Sequence, residues 1–249
     1  MDKTKPDISV IVPLFNEEES IPELCEWIRR VIEGMNLTYE IILVDDGSTD
    51  SSWEAVGRIS EGDPCVHGIR FRRNYGKSAA LYCGFKQAEG EVVFTMDADL
   101  QDSPDEIPQM YSMVKDEGYD VVSGWKQHRK DNKLTKNLPS KLYNATARWI
   151  TGIPLHDMNC GLKAYRSEVI KNIEVYGEMH RYIPYLAKNA GFDKITEKPV
   201  VPVQVREKAH ALFRHQRYPD VPRRFRDFPM PYHPETFPPG RRHEIQAGD

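Results

Sequence analysis

The chain has 249 residues, 39% of them hydrophobic and 29% charged, with a formal net charge of −4. That length suits one α/β domain, or one domain plus a tail, and the mild acidity gives no reason to expect nucleic acid as a partner. No run approaches the roughly 18 apolar residues of a membrane helix, and "MDKTKPDISVIVP" lacks the basic-then-apolar pattern of a signal peptide, so a cytoplasmic location without a transmembrane segment is expected.

The first two hundred residues alternate between strand-like and helix-like segments. "ISVIVP" is a short β-branched run. "EEESIPELCEWIRRVIEGM" follows with Ile21, Leu24, Ile28, Val31 and Ile32 on one helical face, and Gly34 can terminate it. "YEIILV" reads as a second strand, and "DDGSTDSSWEAVGRIS" turns through Gly47 into a helix that Asp50 or Ser51 can cap. "VHGIRF" is a third strand, Gly76–Gly90 a helix, "EVVFTM" a fourth strand, "PDEIPQMYSMVKDEG" a helix and "YDVVSG" a fifth strand. Strands separated by helices imply an α/β fold with a mainly parallel sheet and helices on both faces. The near-continuous apolar strands agree with burial on both sides.

Beyond Gly124 the rhythm changes. "KQHRKDNKLTKNL" is polar, "PSKLYNATARWITG" has helical spacing, and "LHDMNCGLKAYR" reads as a loop entering a short strand. Glu178–Gly191 reads as a helix and "KITEKPVVPVQV" as a last strand. Residues 1–202 are therefore expected to form one domain. From Val203 onward there are nine basic and six acidic residues among many prolines, and residues 203–249 read as an extended Arg/Pro-rich tail. The four cysteines are scattered without a CxxC pair, which points to buried reduced thiols rather than zinc or redox chemistry.

One stretch carries chemistry. "VVFTMDADLQDSP" runs an apolar strand into Asp97, Asp99, Gln101 and Asp102. In open parallel sheets ligands bind beyond the carboxyl ends of the strands. In extended backbone Asp97, Asp99 and Gln101 share one side, an oxygen-rich row suited to Mg²⁺ or Mn²⁺. Asp102 and Ser103 read instead as residues at the start of the next helix. A calcium loop beginning at Asp97 fails, because its sixth and twelfth positions are Asp102 and Pro108. A phosphate-binding GKS motif at Gly76–Ser78 fails because Phe71 stands where a glycine is required. An aspartyl phosphatase, which also places two aspartates after a strand, remains a weaker reading.

Four ordered segments, "SVIVPLFNEEESIPEL", "YEIILVDDGSTDSSWE", "RNYGKSAALYCGFKQAEGEVVFTMDADLQDSP" and "DMNCGLKAYRSEV", resemble family 2 glycosyltransferases. They are most similar to the polyprenyl-phosphate sugar transferase branch, which includes dolichol-phosphate mannose synthase and the undecaprenyl-phosphate sugar transferases. The likeness spans roughly Ile8 to Pro202. It implies a GT-A fold, a nucleoside-diphosphate-sugar donor, a polyprenyl-phosphate acceptor, inverting transfer, a Mg²⁺ or Mn²⁺ cofactor and a part in cell-envelope glycan synthesis. Because this chain shows no membrane helix, at most peripheral contact with the inner face of the membrane is expected. It carries donor binding onto Pro13, Phe15 (often Tyr in the family), Glu17, Val44, Asp45, Asp46, Lys77, Asp97 and Ala98. Asp99 and Gln101 match the metal-binding positions, Lys126 a phosphate-facing position that is usually Arg, and Asp157 the position of a catalytic base.

The family's lid motif, Gly-Ser-Lys-Phe-like and preceded by a His/Arg-rich stretch, is not recognisable after Val203. This departure suggests a coding frame altered near that point. It leaves two alternatives beside the leading one: a soluble family 2 transferase acting on a glycan hydroxyl, and a non-catalytic core that binds nucleotide sugar without its lid.

Overall fold

The computed structural model describes residues 5–126, 152–153 and 155–201. The helix expected from "PSKLYNATARWITG", the polar segment after Lys126 and the tail from Pro202 onward lie outside the described residues.

Seven strands form one sheet in the order β3-β2-β1-β4-β6-β5-β7. The strands are β1 (Ile8–Leu14), β2 (Tyr39–Asp45), β3 (Val66–Arg70), β4 (Val92–Thr95), β5 (Val121–Lys126), β6 (Lys163–Arg166) and β7 (Ile195–Val200). The helices are α1 (Ile21–Gly34), α2 (Ser52–Gly62), α3 (Lys77–Gln87), α4 (Ile107–Lys115), α5 (Ser167–Lys171) and α6 (Ile183–Asn189). β1 pairs in parallel with β2 and β4, β2 with β3, and β5 with β7. β6 runs antiparallel between β4 and β5. The mainly parallel sheet agrees with the apolar runs that encode it, and the reversed β6 is an addition that those runs do not reveal.

The sheet is packed on both faces. On one side Val10, Val12, Ile41, Leu43, Phe94 and Ala164 meet α1 and α4 through Leu24, Ile28, Ile32 and Met110. On the other, Ile11, Ile42, Val44, Val93 and Tyr165 meet α3 through Ala80, Leu81 and Phe85. Alternate residues of each strand thus serve opposite layers, as the pleat requires. Gly84 lets α3 sit directly on β1, since a Cβ there would lie 2.4 Å from Ile11 Cγ2.

Local chemistry sets where the elements begin and end. Asp50 Oδ1 accepts the Ser52 N–H at 3.0 Å, so Asp50 satisfies a donor at the start of α2 although Ser51 holds the cap position. The helix expected over Gly76–Gly90 ends at Gln87, and Lys171 Nζ donates to the carbonyls of Phe85 and Ala88 at 2.8 and 2.7 Å, completing its C-terminus. The helix expected over Glu178–Gly191 divides into a 3₁₀ turn at Met179–Tyr182 and α6, with Pro184 in the first turn of α6. A proline lacks an N–H and fits only a first turn, which starts a new helix there. The segment before α4 behaves alike: a 3₁₀ turn at Pro104–Glu106, then Pro108 at the head of the helix.

Among the described residues no helix is long and apolar enough to cross a membrane.

Candidate active site

β1, β2 and β4 are parallel neighbours, so their polar carboxyl-end segments come together at one sheet edge. A cleft of about 420 Å³ opens beside them. Its wall includes Pro13 from β1, Lys77 and Leu81 from α3, Thr95 at the end of β4 with Met96 and Asp97 after it, Met158 to Gly161 before β6, Lys163 and Tyr165 of β6, and His180 and Arg181.

Lys77 and Asp97 form an ion pair at the cleft, each side chain 34% exposed. The Asp97 carboxylate rests on Gly161, where a Cβ would lie 2.5 Å from its carboxyl carbon. Only glycine leaves room for that carboxylate. Thr95 Oγ1 donates to the Gly161 carbonyl at 2.9 Å and fixes the same loop from below.

The backbone after β4 is not extended, contrary to the alternation expected for the acidic row. The strand ends at Thr95, a turn spans Ala98 and Asp99, and Leu100 adopts φ +60°. Such a φ is uncommon for a side-chain-bearing residue and reverses the chain sharply. The Leu100 and Ala98 side chains are drawn into the core by that turn. Asp99 stays half-buried and accepts the Gln101 N–H at 3.1 Å, while Gln101 is exposed. Burial, with Asp97 and Asp102 nearby, pushes the Asp99 carboxyl above its ordinary value against the pull of the Gln101 N–H and Lys126. A carboxylate so placed gains from a cation.

Asp102 is not a solvated helix-start residue: it is 2% exposed, and Lys126 Nζ lies 2.6 Å from its Oδ1. Ser103 does serve the turn, accepting the Asp105 N–H at 3.3 Å. Burial works against the charge on Lys126, but Asp102 outweighs it and holds the ammonium above its ordinary value. Lys126 is therefore brought near the acidic row, and its charge is already partnered.

The segment after β2 is committed to structure. Asp45 is fully buried and accepts the Ser48 N–H at 2.8 Å. Asp46 accepts the N–H groups of Tyr75 and Gly76 at 2.7 and 2.9 Å, tying β2 to the start of α3. Burial raises both carboxyls. The Val44 side chain lies in the core, so it and Ala98 can offer a ligand only their backbones. Phe15 is 43% exposed, an open face that fits stacking. Glu17 accepts the Ser20 hydroxyl at 2.6 Å. Asp157 is buried beside the Met158–Gly161 wall and accepts the Asn159 N–H at 3.0 Å, which orders the loop that carries Gly161.

Of the residues singled out in the sequence, Pro13, Lys77 and Asp97 line the cleft itself. Lys163, His180 and Arg181 line it too and were not singled out. Lys163 has one legible signal, a charge inside the apolar run "LKAY". His180 and Arg181 fall inside the helix expected over Glu178–Gly191 and carry no local signal of their own. Among the described residues no three His, Cys, Asp or Glu side chains converge as a metal site.

Relatives bear on this geometry. A dodecaprenyl-phosphate galacturonate synthase of Rhizobium johnstonii is 40% identical over 179 residues, covering 72% of this chain and 53% of that protein. An undecaprenyl-phosphate 4-deoxy-4-formamido-L-arabinose transferase of Salmonella choleraesuis is 40% identical over 194 residues, covering 78% and 58%. The chain thus spans a little over half the length of these relatives. In fold it is similar to glucosyl-3-phosphoglycerate synthase of Mycobacterium tuberculosis, solved with Mn²⁺, UDP and phosphoglyceric acid (TM-score 0.61, 21% identity, 83% of this chain and 73% of that one). It is also similar to a mannosyltransferase of Pyrobaculum calidifontis solved with GDP-Man and Mn²⁺ (TM-score 0.57, 22% identity, 85% and 61%). These likenesses match a GT-A architecture. The glycosyl transferase family 2 model matches residues 9–174, from β1 through α5 and including the cleft wall from Pro13 to Tyr165: the chain belongs to glycosyltransferase family 2.

Proposed function

We propose that the chain is the catalytic part of an inverting transferase that moves a sugar from a nucleoside-diphosphate sugar to a polyprenyl phosphate. The observation that carries this reading is the Lys77–Asp97 pair at the cleft with Asp99 half-buried beside it, in a chain whose relatives act on dodecaprenyl and undecaprenyl phosphate. Phe15, Glu17, Val44, Asp45, Asp46 and Ala98 would frame the nucleotide, the last four mainly by holding backbone in place.

Asp99 fits a Mg²⁺ or Mn²⁺ ion, because its carboxylate is desolvated among like charges; Gln101, two residues on, and the donor's diphosphate oxygens would complete the ligand set. When bound, the cation offsets the charge that develops on the leaving diphosphate. Lys77 contributes a second positive charge on the cleft wall. Lys126, held by Asp102, acts at the same charge cluster. An inverting displacement needs the acceptor oxygen on the face of the sugar opposite the leaving group. A lipid phosphate is already anionic near pH 7, so positioning matters more than proton removal. A glycan hydroxyl would instead require a base, and Asp157 is the candidate. The chain would meet the membrane at its surface, where the lipid phosphate lies.

The test is nucleoside diphosphate release from a panel of UDP- and GDP-sugars with Mn²⁺, with and without polyprenyl phosphate. Release that depends on the lipid phosphate is expected. Release without it points to a hydroxyl acceptor. Nucleotide binding with no release under any condition identifies a non-catalytic core.

A further inference from the structure

The cleft wall is mainly basic. Four basic side chains line it, Lys77, Lys163, His180 and Arg181, against one carboxylate, Asp97, and Asp97 is spoken for by Lys77. Lys163 is 4% exposed, and its Nζ donates to the Cys160 carbonyl. Arg181 stands exposed at the mouth. Among the described residues neither has an ion-pair partner.

The arrangement is built rather than incidental. The His180 N–H donates to Ser78 Oγ at 3.1 Å, and His180 Nδ1 lies 3.0 Å from the same oxygen. Ser78 is itself 2% exposed. These two contacts pin the Met179–Tyr182 turn to the start of α3 and set the next residue, Arg181, at the cleft. Burial, together with Lys77 and Arg181, lowers the affinity of His180 for a proton, and burial acts the same way on Lys163. Asp157 and Asp97 favour the Lys163 charge from beyond ion-pair distance, and a desolvated ammonium with no direct counter-charge gains from an anion.

We infer that Lys163 and Arg181, with the turn anchored by His180 and Ser78, form an oxyanion subsite in the cleft. It is separate from the Asp99–Gln101 position, which does not line the cleft wall, and it takes a carboxylate or phosphate group. Two molecules can bring that group under the functional reading above, on which this inference rests: a hexuronate as the transferred sugar, or the phosphate of the acceptor. Arginine suits either, since its planar fork matches both oxyanions.

Arg181→Gln and Lys163→Met separate these sources. Arg181 is exposed, so its variant keeps the fold. If Lys163→Met loses its circular dichroism signal, Arg181→Gln alone decides. Binding is measured for UDP and GDP, for UDP-glucuronate against UDP-glucose, and for GDP-mannuronate against GDP-mannose, together with the KM for polyprenyl phosphate. A loss of about tenfold or more on the acidic donor, with UDP or GDP and the neutral donor within about twofold, assigns the subsite to the sugar carboxylate. A rise of about tenfold in the KM for polyprenyl phosphate, with donor affinity kept, assigns it to the acceptor. Unchanged affinities for acidic donor and lipid phosphate, while the nucleotide still binds, overturn the subsite. A wild-type protein that binds neither UDP nor GDP overturns the functional reading itself.

Discussion

Removing Asp102 separates a buried ion pair from a helix-start acid. The Asp102 and Lys126 side chains are 0% and 8% exposed, with 2.6 Å between Oδ1 and Nζ. Asp102→Asn leaves an ammonium almost sealed from water without its counter-charge, which costs about 3–5 kcal/mol. A solvated acid favouring a helix start would cost only about 0.3–1 kcal/mol. For a chain of this size each kcal/mol moves the Tm by about 2–4 °C, so a fall on the order of 10 °C is expected. Urea unfolding and calorimetry on Asp102→Asn, Lys126→Met and the double variant give the cycle. Each single variant should be strongly destabilised, and the double variant should recover most of the loss, because an apolar replacement leaves no buried charge. An Asp102→Asn protein within about 1 kcal/mol of wild type, unaffected by the second change, would refute the buried pair.

Gly161→Ala should weaken donor binding by about tenfold or more, because its Cβ would fall 2.5 Å from the Asp97 carboxyl carbon and push that group off Lys77; unchanged donor affinity would show that Asp97 has room to move. Lys171→Met should cost about 1–3 kcal/mol in urea unfolding by leaving the carbonyls that close α3 without their donor. Burial pushes the Cys25 and Cys160 thiols up to about 12, so a thiol reagent at pH 8 should leave both unmodified in the native protein and label them only on unfolding. Peptide mapping after a timed reaction checks this, and rapid native labelling of Cys160 would mean that the wall beside the cleft opens.

The sequence discloses the sheet where its strands are apolar on both faces. β1, β2 and β4 are mainly hydrophobic, with Ser9, Glu40, Asp45 and Thr95 as their polar members, and their residues are buried almost throughout. Their parallel order then follows from the helices between them, which locates the ligand edge. β6 is harder to see: four residues, "KAYR", carry Lys163 at one end and Arg166 at the other, and nothing local dictates that they insert antiparallel between β4 and β5. The burial of Asp102 is not legible locally, because its counter-charge, Lys126, comes from another strand's end, a pairing that no local pattern encodes. The turn at Ala98–Asp99 hid for a similar reason. Leucine gives no sequence signal for φ +60°; packing of Leu100 into the core imposes it. His180 and Arg181 join the cleft through Ser78, which lies 102 residues away in the chain.

The central claim is that Asp99 serves a cation on the diphosphate of a nucleotide sugar. The most direct measurement is calorimetric titration of UDP- and GDP-sugars into wild type and Asp99→Ala, each with Mn²⁺ and with EDTA, on protein whose circular dichroism is unchanged. Wild type should bind a donor at least about tenfold more tightly with Mn²⁺, and Asp99→Ala should bind it equally weakly under both conditions. An Asp99→Ala protein that keeps the full Mn²⁺ enhancement would contradict the account.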